Sequence, residues 1–176
     1  IWTKITPGAV EIMKITNADI GLKEIQIEVN NPAQNVQITV KKYDTLPAFV
    51  TQMVDEVYRY IEITTKNLNN SNLNKSKIRF SVLKSWLVNN SVNSGDIVLK
   101  KFTTTWIELP TIKLSEDSIM ATYEATTQGF SFYAIATRQT TFPISIIPST
   151  NATATLVEQP PVQQPQAAPV SPAPEQ

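Results

Sequence analysis

Apolar and polar residues alternate with a period of two over several stretches of this chain, which is the pattern of half-buried β-strands. The clearest case is Ile25–Val29, where isoleucine or valine occupies every second position and Gln or Glu lies between. The run Val36–Val40 repeats this alternation after the Asn- and Pro-containing stretch Asn30–Asn35. Two alternating runs joined by such a turn predict a β-hairpin with one solvated face and one buried face.

More strand-like runs follow the same pattern along the chain: Val10–Ile15, Val57–Thr64, Lys77–Val82, Asp96–Phe102, Thr105–Leu109, Ile119–Ala125 and Phe130–Thr137. About eight or nine short strands at this spacing predict an all-β fold, an antiparallel β-sandwich. Helix signals are confined to Ser85–Asn90, a single turn with Ser85 as the predicted N-cap and asparagines at its end. Gly129 is predicted to adopt a positive φ at a turn or bulge before the last strand.

The pattern divides the chain into three parts. Residues 1–138 form the predicted sandwich. Residues 139–158 include the apolar, proline-bracketed run Phe142–Pro148, which predicts an additional strand or linker, with an edge strand exchanged between copies as the alternative. Residues 159–176 hold six of the 12 prolines, which predicts a disordered, extended Pro-rich tail. A first residue of isoleucine predicts a processed protein or an excised fragment, so that any signal peptide or membrane anchor would lie outside it.

Composition narrows the range of functions. The 176 residues include no histidine and no cysteine, whereas isoleucine, valine and threonine make up 54 of them. The commonest general base, the thiol nucleophile and the usual zinc ligands are therefore missing, so we predict a non-enzymatic protein without cofactor or metal. The 15 basic and 15 acidic residues balance to zero net charge, which argues against nucleic-acid binding. No apolar run approaches the ~20 residues of a membrane-spanning helix.

Four Asn-x-Ser/Thr sequons are candidate N-glycosylation sites: Asn69, Asn74, Asn89 and Asn151. Each is predicted to lie in a polar, turn-like stretch outside the strands, where an acceptor asparagine would be exposed. Asn69 and Asn74 share the predicted loop Asn67–Ser76, which we expect to be coated with glycan. Such sequons also arise by chance in a chain rich in asparagine and threonine.

Aromatic residues occur in most of the predicted strands, which favours packing in the core of the sandwich. Trp86, Trp106, Phe80 and Phe132 are the predicted core anchors. An alternative places a carbohydrate-binding platform on Tyr58 and Tyr60, because residues two apart in a strand share one face and exposed rings stack on sugars. The acidic pairs Asp55-Glu56 and Glu116-Asp117 lack the pattern of a calcium-binding loop and are interpreted as turn residues.

In their order along the chain, these landmarks resemble the archaeal cell-surface module known as the PGF-pre-PGF domain. The similarity covers about residues 1–137 and rests on Trp2, Ile5–Gly8, Ile25–Pro32, Val36–Val40, Val57–Ile63, Ile78–Val82, Ser85–Leu87, Trp106–Thr111 and Gly129–Ile135. The chain departs from the family at Gln128, which stands where proline usually precedes Gly-Phe. The resemblance implies a β-sandwich in an extracellular archaeal protein associated with the cell envelope, and it implies no catalytic residues.

Three functional hypotheses follow. The leading one is a non-enzymatic extracellular surface module that serves cell-envelope structure, adhesion or assembly. Its expected partners are other envelope proteins or copies of itself, and N-linked glycans are expected on its surface. The first alternative is the subunit of a surface filament assembled by β-strand exchange. The second alternative is a carbohydrate-binding β-sandwich.

Overall fold

A computed structural model describes residues 1–138 of the chain. They form one helix, α1 (Lys84–Asn89), three short 3-10 turns and eleven strands: β1 (Trp2–Ile5), β2 (Glu11–Lys14), β3 (Leu22–Val29), β4 (Ala33–Tyr43), β5 (Val57–Lys66), β6 (Leu73–Leu83), β7 (Ile97–Phe102), β8 (Trp106–Glu108), β9 (Thr111–Glu116), β10 (Met120–Thr127) and β11 (Phe132–Thr137). The predicted extra strand or linker (139–158) and the Pro-rich tail (159–176) lie outside the described residues. No helix among residues 1–138 is long and apolar enough to cross a membrane.

The strands form two antiparallel sheets, which confirms the predicted β-sandwich. The large sheet has six strands in the order β1-β4-β5-β11-β7-β8, and the small sheet has five in the order β2-β3-β6-β10-β9. The sequence pattern missed β1 and β9, which are both edge strands of their sheets. β9 has no fully buried residue, so the contrast between a buried and a solvated face that marks an inner strand is absent there.

The predicted hairpin of Ile25–Val29 with Val36–Val40 is wrong, although its alternation is correct. β3 pairs with β2 and β6 of the small sheet, whereas β4 pairs with β1 and β5 of the large sheet. The connection between them is anchored to Asn72, whose main-chain carbonyl accepts the N–H of Asn30 at 2.8 Å and whose side-chain oxygen accepts that of Asn31 at 2.7 Å. The turn therefore crosses from one sheet to the other. The sequence pattern did not reveal this, because alternation determines which face of a sheet a residue occupies and not which strand it pairs with.

Between the sheets lies one apolar core built from the inward residues of both. Its largest fully buried members are Tyr123, Tyr133, Phe80, Ile5, Leu22, Ile25, Ile27, Ile61, Ile63, Ile78, Leu99 and Ile135. The rings of Phe80 and Tyr123 stack with their centroids 5.2 Å apart. The Tyr123 hydroxyl donates to the carbonyl of Ser94 at 2.7 Å, so its polar end is satisfied while burial raises its pKa to about 12.

Of the four predicted core anchors, only Phe80 lies between the sheets. Trp86 of α1 is half-buried against the core, and its ring packs edge-to-face with that of Tyr58, with the centroids 5.2 Å apart. Phe132 is buried, but on the outer face of the large sheet, where Trp106 is half-exposed beside it. Sequence spacing could not separate these cases, because aromatic rings pack as readily under a loop as between sheets.

The N-cap of α1 lies two residues earlier than predicted. It is Leu83, without a side-chain hydrogen bond, and Ser85 lies inside the helix, so the predicted Ser85 cap is wrong. The predicted asparagine cap at the other end is confirmed, since Asn90 is the C-cap and its side chain donates to the carbonyl of Trp86 at 2.8 Å. Gly129 has the predicted positive φ, at 79°.

The outer face of the small sheet is charged. Arg79 of β6 lies in register between Glu24 of β3 and Glu124 of β10, at 3.4 Å and 2.8 Å from their carboxylates. Lys77 adds a second contact to Glu124 at 2.7 Å. Burial alone would raise the pKa of Glu124, but the hydrogen bonds from Lys77 and Arg79 outweigh it and lower that pKa. The two outer faces of the sandwich therefore differ: this one is ionic, and the other is aromatic.

Candidate binding surface

Six aromatic rings meet on the outer face of the large sheet and in the loop above it. We call them the outer aromatic cluster: Tyr43, Phe49, Tyr60, Phe102, Trp106 and Phe132. Register explains the grouping, because Tyr43 lies opposite Tyr60, and Phe102 lies between Phe132 and Trp106 on neighbouring strands. Phe132 is central, with ring centroids 5.3 Å from Tyr43 and 6.0 Å from Tyr60. Adjacent aromatic pairs of this kind stabilise a sheet face.

Residues 44–56 connect β4 to β5 and lie over this face, and we call them the covering loop. Val50 of this loop is buried, at 5% exposure, although it is not part of the inter-sheet core. The indole N–H of Trp106 donates to the carbonyl of Thr51 at 2.7 Å. Asp55 forms an ion pair with Lys100 at 2.8 Å, and their side chains are only 11% and 6% exposed. Three separate contacts therefore hold the loop against the sheet.

An open cleft of about 590 Å³ lies beside the covering loop, at one end of the large sheet. Its walls combine the rings of Phe49, Phe102, Phe130 and Phe132 with the polar side chains of Glu62, Thr64 and Asn69. Phe49 is 69% exposed, which is unusual for a ring that also contacts a buried neighbour. Volumes of this size and mixed apolar and polar walls are typical of small-ligand sites.

The floor of the cleft is held rigidly by the turn before β11. The Asn70 side chain accepts the N–H of Phe130 at 2.8 Å and donates to its carbonyl at 3.0 Å. A Cβ on Gly129 would lie 2.7 Å from Cγ of Asn70, so this close approach requires glycine as well as the positive φ. The Ser131 hydroxyl donates to the carbonyl of Phe102 at 2.6 Å. These contacts fix the position of the main chain at the floor of the cleft.

Glu62 supplies the carboxylate of the cleft. One of its oxygens accepts the hydroxyl of Tyr43 at 2.7 Å. That hydrogen bond, with burial and the nearby negative charge, raises the pKa of Tyr43. The carboxylate is thereby oriented by a member of the outer aromatic cluster, while its half-buried position leaves it facing the cleft.

Tyr58 and Tyr60 do not share a face, contrary to the prediction. The register between β5 and β11 shifts at Tyr58, which is an extra residue in β5, and such a bulge reverses the alternation. Tyr58 packs against the inter-sheet core and Trp86, whereas Tyr60 stacks on Phe132 outside it. Carbohydrate binding by these two residues stays a prediction.

Three of the four sequons lie in the described part of the chain. Asn69 is exposed, lines the cleft and makes no capping hydrogen bond with its side chain. Asn89 is exposed at the end of α1. Asn74 is exposed as well, but it lies inside β6 and not in a loop shared with Asn69, so that expectation is wrong. Asn151 lies outside the described residues.

Sequon occupancy is expected to differ between these asparagines. Ser76, which completes the Asn74 sequon, is 0% exposed and its hydroxyl is buried, so a transferase cannot reach it once the domain has folded. We therefore expect Asn69 and Asn89 to carry glycan several-fold more often than Asn74. Glycopeptide mass spectrometry of native material measures this, with Ser71→Ala as the control that removes the Asn69 sequon alone. Higher occupancy at Asn74 than at Asn69 would contradict the prediction.

One residue of each acidic pair noted in the sequence forms ion pairs. Asp55 holds Lys100, and Glu116 contacts Lys84 at 2.9 Å and Lys113 at 2.8 Å. Hydrogen bonds from Lys113 and Lys84 lower the pKa of Glu116 to about 2. Within residues 1–138 no group of three or more carboxylates is arranged to hold a metal ion.

Sequence reasoning missed Phe49, Phe102 and the covering loop as parts of a surface site. The one available signal was the length of the stretch between β4 and β5, which has apolar residues but no alternation, and long structured loops often carry function. Comparisons with protein-family models, with curated proteins and with solved structures found no match. The resemblance to the PGF-pre-PGF domain stays a prediction.

Proposed function

We propose that this chain is a non-enzymatic module of an extracellular archaeal surface protein, and that it binds carbohydrate through the cleft. Such binding would serve adhesion or envelope structure, with saccharides of the envelope as partners. The observation that carries the proposal is the cleft itself, where the exposed ring of Phe49 lies among other rings and a carboxylate. The archaeal and extracellular assignments rest on the sequence resemblance.

Sugar chemistry matches the cleft. A pyranose ring has an apolar C–H face that packs on aromatic rings, and Phe49 and Phe102 supply such rings. Its hydroxyls need charged or polar partners at fixed positions, and Glu62 and Thr64 supply these in the same cleft. The rigid floor at Asn70 favours binding because little ordering is required when the ligand enters.

The proposal is tested by screening the full chain against an array of neutral and acidic oligosaccharides and titrating the best glycan by calorimetry. Phe49→Ala should weaken binding at least tenfold, because it removes a stacking ring. The matched control is Ile112→Ala, which truncates a residue of similar exposure (60%) on the small sheet and should leave affinity unchanged.

Both variants are expected to keep the urea midpoint of the parent chain, so lost binding cannot be ascribed to unfolding. Equal affinity of Phe49→Ala and the parent chain would refute the cleft as the site. Absence of binding to every glycan on the array would refute carbohydrate recognition.

A further inference from the structure

β4 is longer than its neighbour on one side. β1 pairs only with Ala33–Val36 of β4, while β5 pairs with Gln37–Tyr43 on the other side. Along Gln37–Tyr43 one edge of β4 therefore has no neighbouring strand among residues 1–138. No turn or loop main chain in that part of the structure bonds to this stretch either. An open edge of seven residues offers a row of main-chain donors and acceptors to another strand.

The inward side of this edge is apolar at Ile38 and Val40, whereas Lys42 at its end lies opposite Ile61 and pairs with Asp19 at 2.6 Å. Ile38 and Val40 are only half-buried although they pack against the inter-sheet core. Met13 and Ile15, at the β2 edge of the small sheet, are also half-buried against the same core. An added strand with apolar residues on its inward face would cover Ile38 and Val40 and complete this side of the sandwich.

The sequence Phe142–Pro148 fits as the added strand. Phe142, Ile144 and Ile146 share one face of an extended chain because they are spaced two apart. In an antiparallel pair, alternate residues direct their N–H groups to the partner. When the N–H groups of Ile144 and Ile146 bond to β4, the nitrogen of Pro143 faces away from β4, where its lack of an N–H costs no hydrogen bond. The nitrogen of Pro148 would face β4 without an N–H to donate, so the hydrogen-bond ladder ends there.

The exit of the chain from β11 favours a second copy as the donor. The N–H of Arg138 donates to the carbonyl of Asp96 at 2.6 Å, and its guanidinium contacts Glu108 of β8 at 3.1 Å. Arg138 is therefore held on the side of β7 and β8, whereas β4 lies beyond β11 and β5 in the large sheet. We infer that residues 142–148 of a second copy add to β4 along Gln37–Tyr43, antiparallel to it.

Each copy would then be donor and acceptor at once. The contact joins two different surfaces, so repeating it builds an open chain of subunits unless the rotation closes a ring. This inference does not depend on carbohydrate binding, because β4 contributes only Tyr43 to the aromatic face and the cleft lies elsewhere.

The test compares the full chain with the double variant Ile144→Asp/Ile146→Asp by light scattering and by hydrogen exchange. The parent chain should form assemblies at least tenfold heavier than the monomer, with main-chain amides of Gln37–Tyr43 protected at least tenfold. The double variant should remain monomeric and lose that protection, and a peptide of residues 140–149 should restore it. The matched control Ser145→Asp changes the opposite face of the segment and should assemble like the parent chain.

Three results would overturn the inference. Assemblies that persist in the double variant would place the contact on another surface. A monomeric parent chain with protected Gln37–Tyr43 amides would show that its own segment fills the edge. A monomeric parent chain with exchanging amides and no peptide binding would show that residues 142–148 do not bind there. An unchanged urea midpoint of the double variant shows that the sandwich is intact in each case.

Discussion

Replacing Asp55 with alanine is expected to lower the free energy of unfolding by about 3–5 kcal/mol. The carboxylate lies 2.8 Å from the ammonium group of Lys100, and the two side chains are 11% and 6% exposed. Removing Asp55 leaves the ammonium of Lys100 buried without its counter-charge. A buried, unpaired charge destabilises the folded state far more than a solvated charge does. Urea denaturation followed by tryptophan fluorescence measures the loss.

Two controls separate the buried charge from other effects. Asp44→Ala removes a carboxylate of the same loop, which is 83% exposed and pairs with Lys42, and it should cost less than about 1 kcal/mol. The double variant Asp55→Ala/Lys100→Met removes both charges and should recover most of the lost stability. A loss below about 1 kcal/mol for Asp55→Ala alone would show that water reaches Lys100 and that the ion pair is not a buried one.

The same ion pair links stability to the proposed function. Asp55 anchors one end of the covering loop on β7, and Phe49 of that loop forms a wall of the cleft. Loosening the loop lets the ring of Phe49 leave its place beside Phe132, where the two centroids are 6.1 Å apart. Asp55→Ala should therefore weaken the glycan affinity as well as the fold, whereas Asp44→Ala should change neither.

Replacing Phe80 with alanine is expected to cost about 3–5 kcal/mol of unfolding free energy. Phe80 is 0% exposed and stacks on Tyr123 across neighbouring strands of the small sheet. Alanine removes the apolar surface of the ring and leaves a cavity between the sheets, because close-packed neighbours relax only partly. Urea midpoints at constant m-value measure the change.

Phe49→Ala is the matched control for this prediction, since it makes the same chemical change at a ring that is 69% exposed. It should alter the unfolding free energy by less than about 1 kcal/mol. Similar losses for Phe80→Ala and Phe49→Ala would mean that the inter-sheet core does not depend on Phe80. Phe80→Leu, which keeps most of the apolar volume, should cost less than Phe80→Ala.

The aromatic residues show where sequence reasoning was sufficient and where it was not. Phe80 alternates with polar neighbours in a predicted strand, and the structure places it in the core as expected. Phe132 lies in the run Ser131–Ile135, where the aromatic Tyr133 follows it directly, and it faces outward because Tyr133 and Ile135 occupy the inward positions of β11. A run that is apolar on both faces gives no alternation from which to decide.

The candidate site was harder to predict than the fold. Asn69 was recognised from its sequon, and Glu62 and Thr64 lie in a strand that the pattern predicted. Their proximity to Phe102, which is far away in the sequence, depends on β5 and β7 flanking β11. The bulge at Tyr58 also left no local signal, so the predicted platform was placed on residues that face opposite ways.

Period-two alternation by itself determined that this protein is a two-layered β-sandwich and which residues of β3 and β6 face inward, because the face of a residue follows from its own position in a strand. Only the tertiary structure decided which strands pair, which aromatic rings gather outside the core and which edge of β4 has no neighbouring strand among residues 1–138. Those features arise between groups far apart in the chain, such as Asp55 and Lys100, 45 positions apart. The burial that makes such contacts strong exists only after the sheets have packed.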